Sequence, residues 1–144
     1  MTAVDPDHVV ATARLWLGTP YHDQASPRGV GCDCLGLARG VWREVVGAES
    51  FPIPPYSRDW GETGLNEVLA EGARRMMPEI ALSDLGTGTL ILFRMTPRAI
   101  AKHVGILTTP DSFIHSYERL GVIEEALTPI WRRRIAFAVL FPES

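Results

Sequence analysis

The chain has 144 residues, of which 46% are hydrophobic and 22% charged, a composition typical of one globular domain with its own core. Its 14 basic and 17 acidic side chains give a formal net charge of −3, so no basic excess points to nucleic acid. No apolar run approaches the roughly 18 residues of a membrane helix, and the first residues lack the pattern of a secretory signal peptide. We therefore predict a single domain over residues 1–144, with no nucleic-acid partner, no membrane insertion and no signal peptide.

Three helices are predicted in the first half of the chain. The first follows Asp5-Pro6, where Asp is a favoured N-cap and Pro a favoured first helical residue. The others are indicated by apolar residues at helical spacing. The predicted helices begin at Asp5, at Asp33 or Cys34, and at Leu65, and they end before Gly18, at Gly47 and before Pro78. Between the last two, Phe51–Gly64 is predicted to be an irregular connection.

Short strands are predicted from Thr89 onward, separated by Pro and Gly. They cover Thr89–Met95, His103–Leu107, Phe113–Tyr117, Gly121–Glu125 and Ile135–Phe141. Arg132–Arg134 is predicted to be a solvated charged segment at the entrance of the last strand. Helices followed by an antiparallel sheet indicate an α+β fold.

Two glycines lie four residues apart on one face of the predicted second helix. Gly36 and Gly40 each cost about 1 kcal/mol relative to Ala in a helix interior. Two interpretations remain open from the sequence: the cost is tolerated, or a neighbouring element approaches the helix backbone closely.

Cys34 is the candidate nucleophile, because a helix N-terminus and a nearby imidazolium both lower the pKa of a thiol. A catalytic Cys34 is then expected to alkylate well below the pH at which a free cysteine of pKa ~8.5 reacts. The alternatives are a buried, inert cysteine and a zinc site. The zinc site would comprise Cys32, Cys34, His103 and His115, but its spacing does not match the usual Cys-x₂₋₄-Cys pattern. We expect no metal and no cofactor.

The two strand histidines are predicted to be neighbours. A hairpin centred on Thr109 places His103 directly opposite His115, with Cβ atoms about 5 Å apart. A register slipped by one residue would put them on opposite faces. In the predicted register one ring can act as a base while the other orients it.

Four short motifs, taken in order, resemble the NlpC/P60 family of cysteine peptidases. They are Gly18-Thr19-Pro20-Tyr21, Asp33-Cys34-Leu35-Gly36-Leu37, His103-Val104-Gly105-Ile106 and Phe113-Ile114-His115. The Cys-Asp-Cys-Leu-Gly-Leu run, the Trp-Arg-Arg-Arg segment and the expected lack of a signal peptide most resemble the phage and gene-transfer-agent cell-wall peptidases of that family.

The resemblance implies a papain-like α+β core that hydrolyses peptidoglycan stem peptides, typically between D-γ-glutamate and a diamino acid. The residue roles it implies are Cys34 as nucleophile, His103 as general base, His115 as orienting residue, Tyr21 as the tyrosine near the thiol and Asp33 as an acidic residue that shapes the substrate end. The expected oxyanion donors are the backbone N–H of Cys34 and the Tyr21 hydroxyl. Leu35 stands where the family usually has Ser, at a position that faces the substrate in several members.

Two other functions remain open. One is a structural or adaptor tail component that keeps the fold without activity, and the other is an amidase or transacylase on the same scaffold. For the peptidase, the expected substrate is a peptidoglycan peptide and the expected partners are phage-like tail proteins. Such an enzyme would be made in the cytoplasm, carried in a tail or particle, and act on the cell wall.

Overall fold

A computed structural model of the chain describes residues 2–49 and 68–143, so the predicted connection Phe51–Gly64 and the first residues of the predicted third helix lie outside the described residues. The elements in these ranges are, in chain order, α1 (Pro6–Arg14), α2 (Cys34–Val45), α3 (Val68–Met76), β1 (Glu79–Ile80), a 3₁₀ turn (Leu82–Asp84), β2 (Thr89–Phe93), β3 (His103–Thr109), β4 (Ser112–Tyr117), β5 (Gly121–Ala126), α4 (Pro129–Arg134) and β6 (Ile135–Leu140). No helix in these ranges is long and apolar enough to cross a membrane.

Helix α1 begins where the sequence predicts, because the Asp5 carboxylate accepts a hydrogen bond from the Asp7 N–H at 2.9 Å. It ends at Arg14, earlier than predicted. Beyond Arg14 the backbone N–H groups donate hydrogen bonds to carbonyls three residues earlier, as Trp16 N–H does to Ala13 C=O. These bonds do not continue the α-helix, whose bonds span four residues. The predicted extension to Leu17 is therefore wrong, although Trp16 is buried in the core.

Helix α2 is packed unusually closely on one face. A Cβ added to Gly40 would lie 2.0 Å from the Trp16 ring, and one added to Gly36 would lie 1.8 Å from the carbonyl oxygen of Ala25. Both distances are shorter than van der Waals contact. Of the two interpretations left open by the sequence, close approach is therefore the one that the structure supports.

The strands form one six-stranded sheet in the order β1-β6-β2-β3-β4-β5, and every neighbouring pair is antiparallel. This confirms the predicted α+β class.

The short edge strand β1 was not predicted. Helix α4 was also missed. The predicted charged segment Arg132–Arg134 is its last turn, directly before β6, and Arg132 and Arg133 are exposed as expected. Thr128 caps α4 and Pro129 is its first residue, so a start signal like that of α1 was present in the sequence.

The pairing of β3 with β4 differs from the prediction by two residues. Ile106 lies opposite Ile114, whereas the predicted hairpin would put it opposite Ser112. The register is irregular just before the turn, between Leu107 and Thr109. A shift of two residues preserves the face on which each side chain lies. His103 and His115 therefore share a face as predicted, but as diagonal neighbours rather than as a direct pair.

The two faces of the sheet are covered by different helices. One face packs with α1, α2 and α3 around Leu90, Leu92, Val104, Ile106 and Ile114. The other carries Ile91, Phe93, Leu107 and Phe113, which pack with Trp131 of α4. Strand β2 is buried along its whole length, because both of its faces are covered.

The contact between Gly40 and Trp16 can be tested by adding one methyl group. Gly40→Ala is expected to lower the free energy of unfolding by about 1–3 kcal/mol, because the ring or the helix must move. Gly72→Ala is the matched control: no atom of the described residues lies within 4 Å of its Cβ position in α3, so a gain of about 0.5–1 kcal/mol is expected. Urea denaturation measures both changes, and equal stabilities for Gly40→Ala and wild type would contradict the close packing.

Candidate active site

Asp33 holds together the start of α2 and the loop before it. One carboxylate oxygen accepts the N–H of Gly36 at 2.7 Å, as an N-cap does, and the other accepts the N–H of Gln24 at 2.8 Å. Asp33 is only 3% exposed. In this structure Asp33 therefore anchors the loop and the helix end that carries Cys34, the residue immediately after it.

The Cys34 sulfur lies against the backbone of β3. Sγ is 3.8 Å from the carbonyl oxygen of Lys102, to which the thiol donates. The backbone of Val104 also hydrogen-bonds the sulfur. Because Lys102 and Val104 flank His103, the sulfur of the candidate nucleophile lies against the backbone that carries the candidate base.

Burial, rather than the helix end, dominates the ionisation of Cys34. Loss of solvent and the nearby charge of Asp33 raise the pKa of Cys34 to about 12, while backbone hydrogen bonds from Val104 and Leu35 act in the opposite direction. The Leu35 N–H at the start of α2 lowers this pKa, as expected of a helix N-terminus, but burial outweighs it. At neutral pH Cys34 rests as a thiol.

The two histidines form a hydrogen-bonded chain that ends on a glutamate. Nε2 of His103 and Nδ1 of His115 are 2.7 Å apart, and Nε2 of His115 is 2.7 Å from a carboxylate oxygen of Glu125. The first contact is the one that the sequence led us to expect. Glu125 was not predicted as a site residue, although alternation along a β4–β5 hairpin could have placed it on the same face as His115.

Aromatic side chains enclose both imidazoles. Trp131 lies 5.7 Å from the His103 ring and 5.1 Å from the His115 ring, measured between centroids, and Tyr117 stacks on His115 at 5.2 Å. Because this burial disfavours the charged form, it lowers the pKa of His103 to about 3, with the charges of His115 and Arg134 adding to the effect. Burial also lowers the pKa of His115, although its hydrogen bond to the Glu125 carboxylate acts in the opposite direction. Both rings are therefore neutral at neutral pH.

Tyr21 lies beside this site, in a short bridge to Cys32. Its hydroxyl donates a hydrogen bond to a carboxylate oxygen of Asp23 at 3.0 Å. Burial and the charge of Asp23 raise the pKa of Tyr21, so the hydroxyl keeps its proton. To donate a hydrogen bond to a substrate oxyanion, as the sequence suggested, the Tyr21 hydroxyl would first have to break its hydrogen bond to Asp23.

A groove of about 750 Å³ opens next to Tyr21 and is large enough for a short peptide segment. It lies between the loop before α2 and the β4–β5 turn. The residues that line it are Gly18, Pro20, Tyr21, Glu118, Arg119, Leu120 and Gly121. The groove is therefore lined by glycine, proline, tyrosine and leucine residues together with one acidic and one basic side chain.

The alternative of a zinc site is not supported by the described residues. Within residues 2–49 and 68–143, no group of three or more His, Cys, Asp or Glu side chains is arranged to hold a metal ion. Cys32 is fully buried, and burial raises its pKa to about 11.

A helix that carries a cysteine at its N-terminus, packed on an antiparallel sheet that carries two histidines, defines a papain-like α+β protein. The profile of the NlpC/P60 family matches residues 18–139, and the chain belongs to that family. The match spans most of the chain, including the four motifs at Tyr21, Cys34, His103 and His115. No curated protein sequence matches the chain.

Several solved structures share this fold. The NlpC/P60 domain of the peptidoglycan hydrolase SagA is 23% identical, with a TM-score of 0.64 over 94% of this chain and 98% of that one. An NlpC/P60 family protein from Bacillus cereus ATCC 10987 is 24% identical, with a TM-score of 0.67. The peptidoglycan hydrolase RipB from Mycobacterium tuberculosis is 18% identical, with a TM-score of 0.59. This chain, matched over 94% and 96% of its length, spans 40% of the Bacillus protein and 65% of RipB.

The resting protonation state of Cys34 can be tested by alkylation. Because burial raises the pKa of Cys34 to about 12, iodoacetamide is expected to label it more slowly at pH 7 than a free cysteine of pKa about 8.5. The labelling rate should still be rising well above pH 8.5. Mass spectrometry of the Cys32→Ala variant follows Cys34 as the single thiol of the chain, and a rate that levels off near neutral pH would show a resting thiolate instead.

Proposed function

We propose that the chain is a cysteine peptidase that hydrolyses peptidoglycan stem peptides. The observation that carries this proposal is the position of the Cys34 sulfur against the backbone on both sides of His103, whose ring is hydrogen-bonded to His115. Membership of the NlpC/P60 family supports the same conclusion, since SagA and RipB, which share the fold, are peptidoglycan hydrolases.

The first step is attack of the Cys34 sulfur on the amide carbonyl carbon. Because thiol and imidazole are both neutral at rest, the thiol proton passes to His103 as the S–C bond forms. The carbonyl oxygen takes the negative charge. The first N–H groups of a helix have no partner within it, and because the Gly36 N–H already binds Asp33, the Cys34 N–H at the start of α2 is the one suited to stabilise this oxyanion.

The second half of the reaction returns the enzyme to its starting state. His103 donates its proton to the leaving amine as the C–N bond breaks, which leaves a thioester on Cys34. Water then attacks the thioester and gives its proton to His103, and Cys34 recovers a proton when the S–C bond breaks. His115 holds the His103 ring in place throughout.

The proposed scissile bond joins D-γ-glutamate to a diamino acid, as the resemblance implies. The groove beside Tyr21 supports a peptide substrate, because Arg119 in its wall offers a cation to a substrate carboxylate. Leu35 replaces the hydroxyl that many family members have next to the nucleophile, so we propose an apolar contact to the substrate at that position.

We also propose that the enzyme reaches the wall as cargo of a phage-like tail or gene-transfer particle. The support is the resemblance of its Cys-Asp-Cys-Leu-Gly-Leu and Trp-Arg-Arg-Arg segments to peptidases of such particles. Tail proteins would then be its partners.

Defined muropeptides test the reaction directly. Wild-type protein is expected to cleave between glutamate and the diamino acid, and Cys34→Ser is expected to leave the muropeptide intact because it lacks the thiol. Cys32→Ala serves as the matched control and should retain cleavage. Products are identified by mass spectrometry. Cleavage at another bond would overturn the proposed specificity, and intact muropeptide with the wild type would favour a structural tail component.

Cys34 and His103 are expected to act as one unit. Replacing either by Ala should lower kcat/KM by about 10³-fold or more, and replacing both should cost little beyond the larger single loss. His8→Ala, at an exposed position of α1, is the control for loss of a histidine. Rates of product formation at substrate concentrations well below KM give kcat/KM for each variant, and multiplicative losses in the double variant would contradict a shared role.

A further inference from the structure

We propose that Glu125 is a positioning residue that sets the proton positions along His115 and His103, so that Nδ1 of His103 is the base. The proposal rests on the proposed peptidase function. It assigns a role to a residue that the sequence motifs do not include, and it follows from the geometry of two short hydrogen bonds.

The β4–β5 register places Glu125 on the imidazole side of the sheet. Glu125 lies opposite Phe113, and His115 lies opposite Ile123, so Glu125 and His115 are diagonal neighbours on one face. The carboxylate of Glu125 is 2.7 Å from Nε2 of His115 and its side chain is 34% exposed. The preceding residue in β5, Glu124, pairs instead with Arg14 at 3.1 Å.

The protons can be placed one hydrogen bond at a time. An ionised carboxylate only accepts hydrogen bonds, so Nε2 of His115 must carry a proton. Because His115 is a neutral imidazole, its Nδ1 then has a lone pair and accepts from Nε2 of His103. His103 is also neutral, so its proton is on Nε2 and its Nδ1 is unprotonated.

This arrangement leaves Nδ1 of His103 unprotonated, so it can accept the proton of Cys34 once the thiol turns away from the Lys102 carbonyl. Without the Glu125 carboxylate, His115 can move its proton from Nε2 to Nδ1. That proton would then face Nε2 of His103 and force the His103 proton onto Nδ1, which would block the base. The carboxylate also favours the imidazolium that His103 becomes during catalysis, since opposite charges attract through the buried chain.

Nitrogen-15 NMR of the imidazole rings tests the proton positions without requiring any activity. In the wild type we expect both His103 and His115 to be neutral with the proton on Nε2. Signals are assigned with His103→Asn and His115→Asn. In Glu125→Gln the amide can donate or accept, so His115 should become a mixture of its two tautomers and His103 should follow. Glu125→Asp keeps a carboxylate and should keep more of the wild-type pattern.

Muropeptide kinetics provide the second measurement. Glu125→Gln is expected to lower kcat by about 10- to 100-fold with KM nearly unchanged, because Glu125 orients the base and does not hold the substrate. Glu124→Gln is the matched control on the same strand and should leave kcat and KM unchanged. Thermal unfolding of each variant shows whether its fold is intact.

The outcomes separate this proposal from the proposed function. A wild-type spectrum with the His103 proton on Nδ1 overturns the role of Glu125, whether or not any variant folds. Cleavage by the wild type with unchanged tautomers or unchanged kcat in Glu125→Gln also overturns it, while the peptidase function stands. If the wild type cleaves nothing, the proposed function fails, and the spectra alone decide whether Glu125 sets the tautomers.

Discussion

The pairing of β3 with β4 is the constraint on which the candidate site depends. Side chains alternate between the faces of a strand, so a slip of one residue would move His115 to the face that packs on α1 and α2. The observed register, with Ile106 opposite Ile114, keeps His115 on the same face as His103 and leaves their ring nitrogens 2.7 Å apart. In this register His103 and His115 are diagonal rather than direct neighbours.

The site lies where the two layers of the protein meet. Cys34 comes from a helix on one face of the sheet, while the ring of His103 packs with Trp131 on the other face. The first residues of β3 are the meeting point, because the sulfur contacts the backbone at Lys102 and Val104. Movement of either layer therefore changes the relation between thiol and imidazole. The close packing of α2, anchored by the Asp33 carboxylate, limits such movement on the cysteine side.

Local sequence signals predicted most of the helices and strands, but they did not predict the surroundings of the site residues. The caps at Asp5 and Asp33 and the alternation in the strands predicted α1, the start of α2 and the antiparallel sheet, since these depend on neighbouring residues. The same kind of signal at Thr128 was overlooked in favour of the arginines that follow it, so α4 was missed. Two features depend on tertiary contacts. The pairing of His115 with Glu125 depends on the register between β4 and β5, and the protonation state of Cys34 depends on burial by residues distant in the sequence.

The energetics of the site follow from its aromatic enclosure. Burial removes water that would stabilise a thiolate or an imidazolium, so the resting pair stays neutral. The same low-dielectric surroundings strengthen every fixed interaction with charge that develops during the reaction. The protein supplies two such interactions: the end of α2 near the oxyanion, and the Glu125 carboxylate behind the two histidines. Charge separation between Cys34 and His103 is therefore favoured only when a substrate carbonyl is present to accept the electrons of the sulfur.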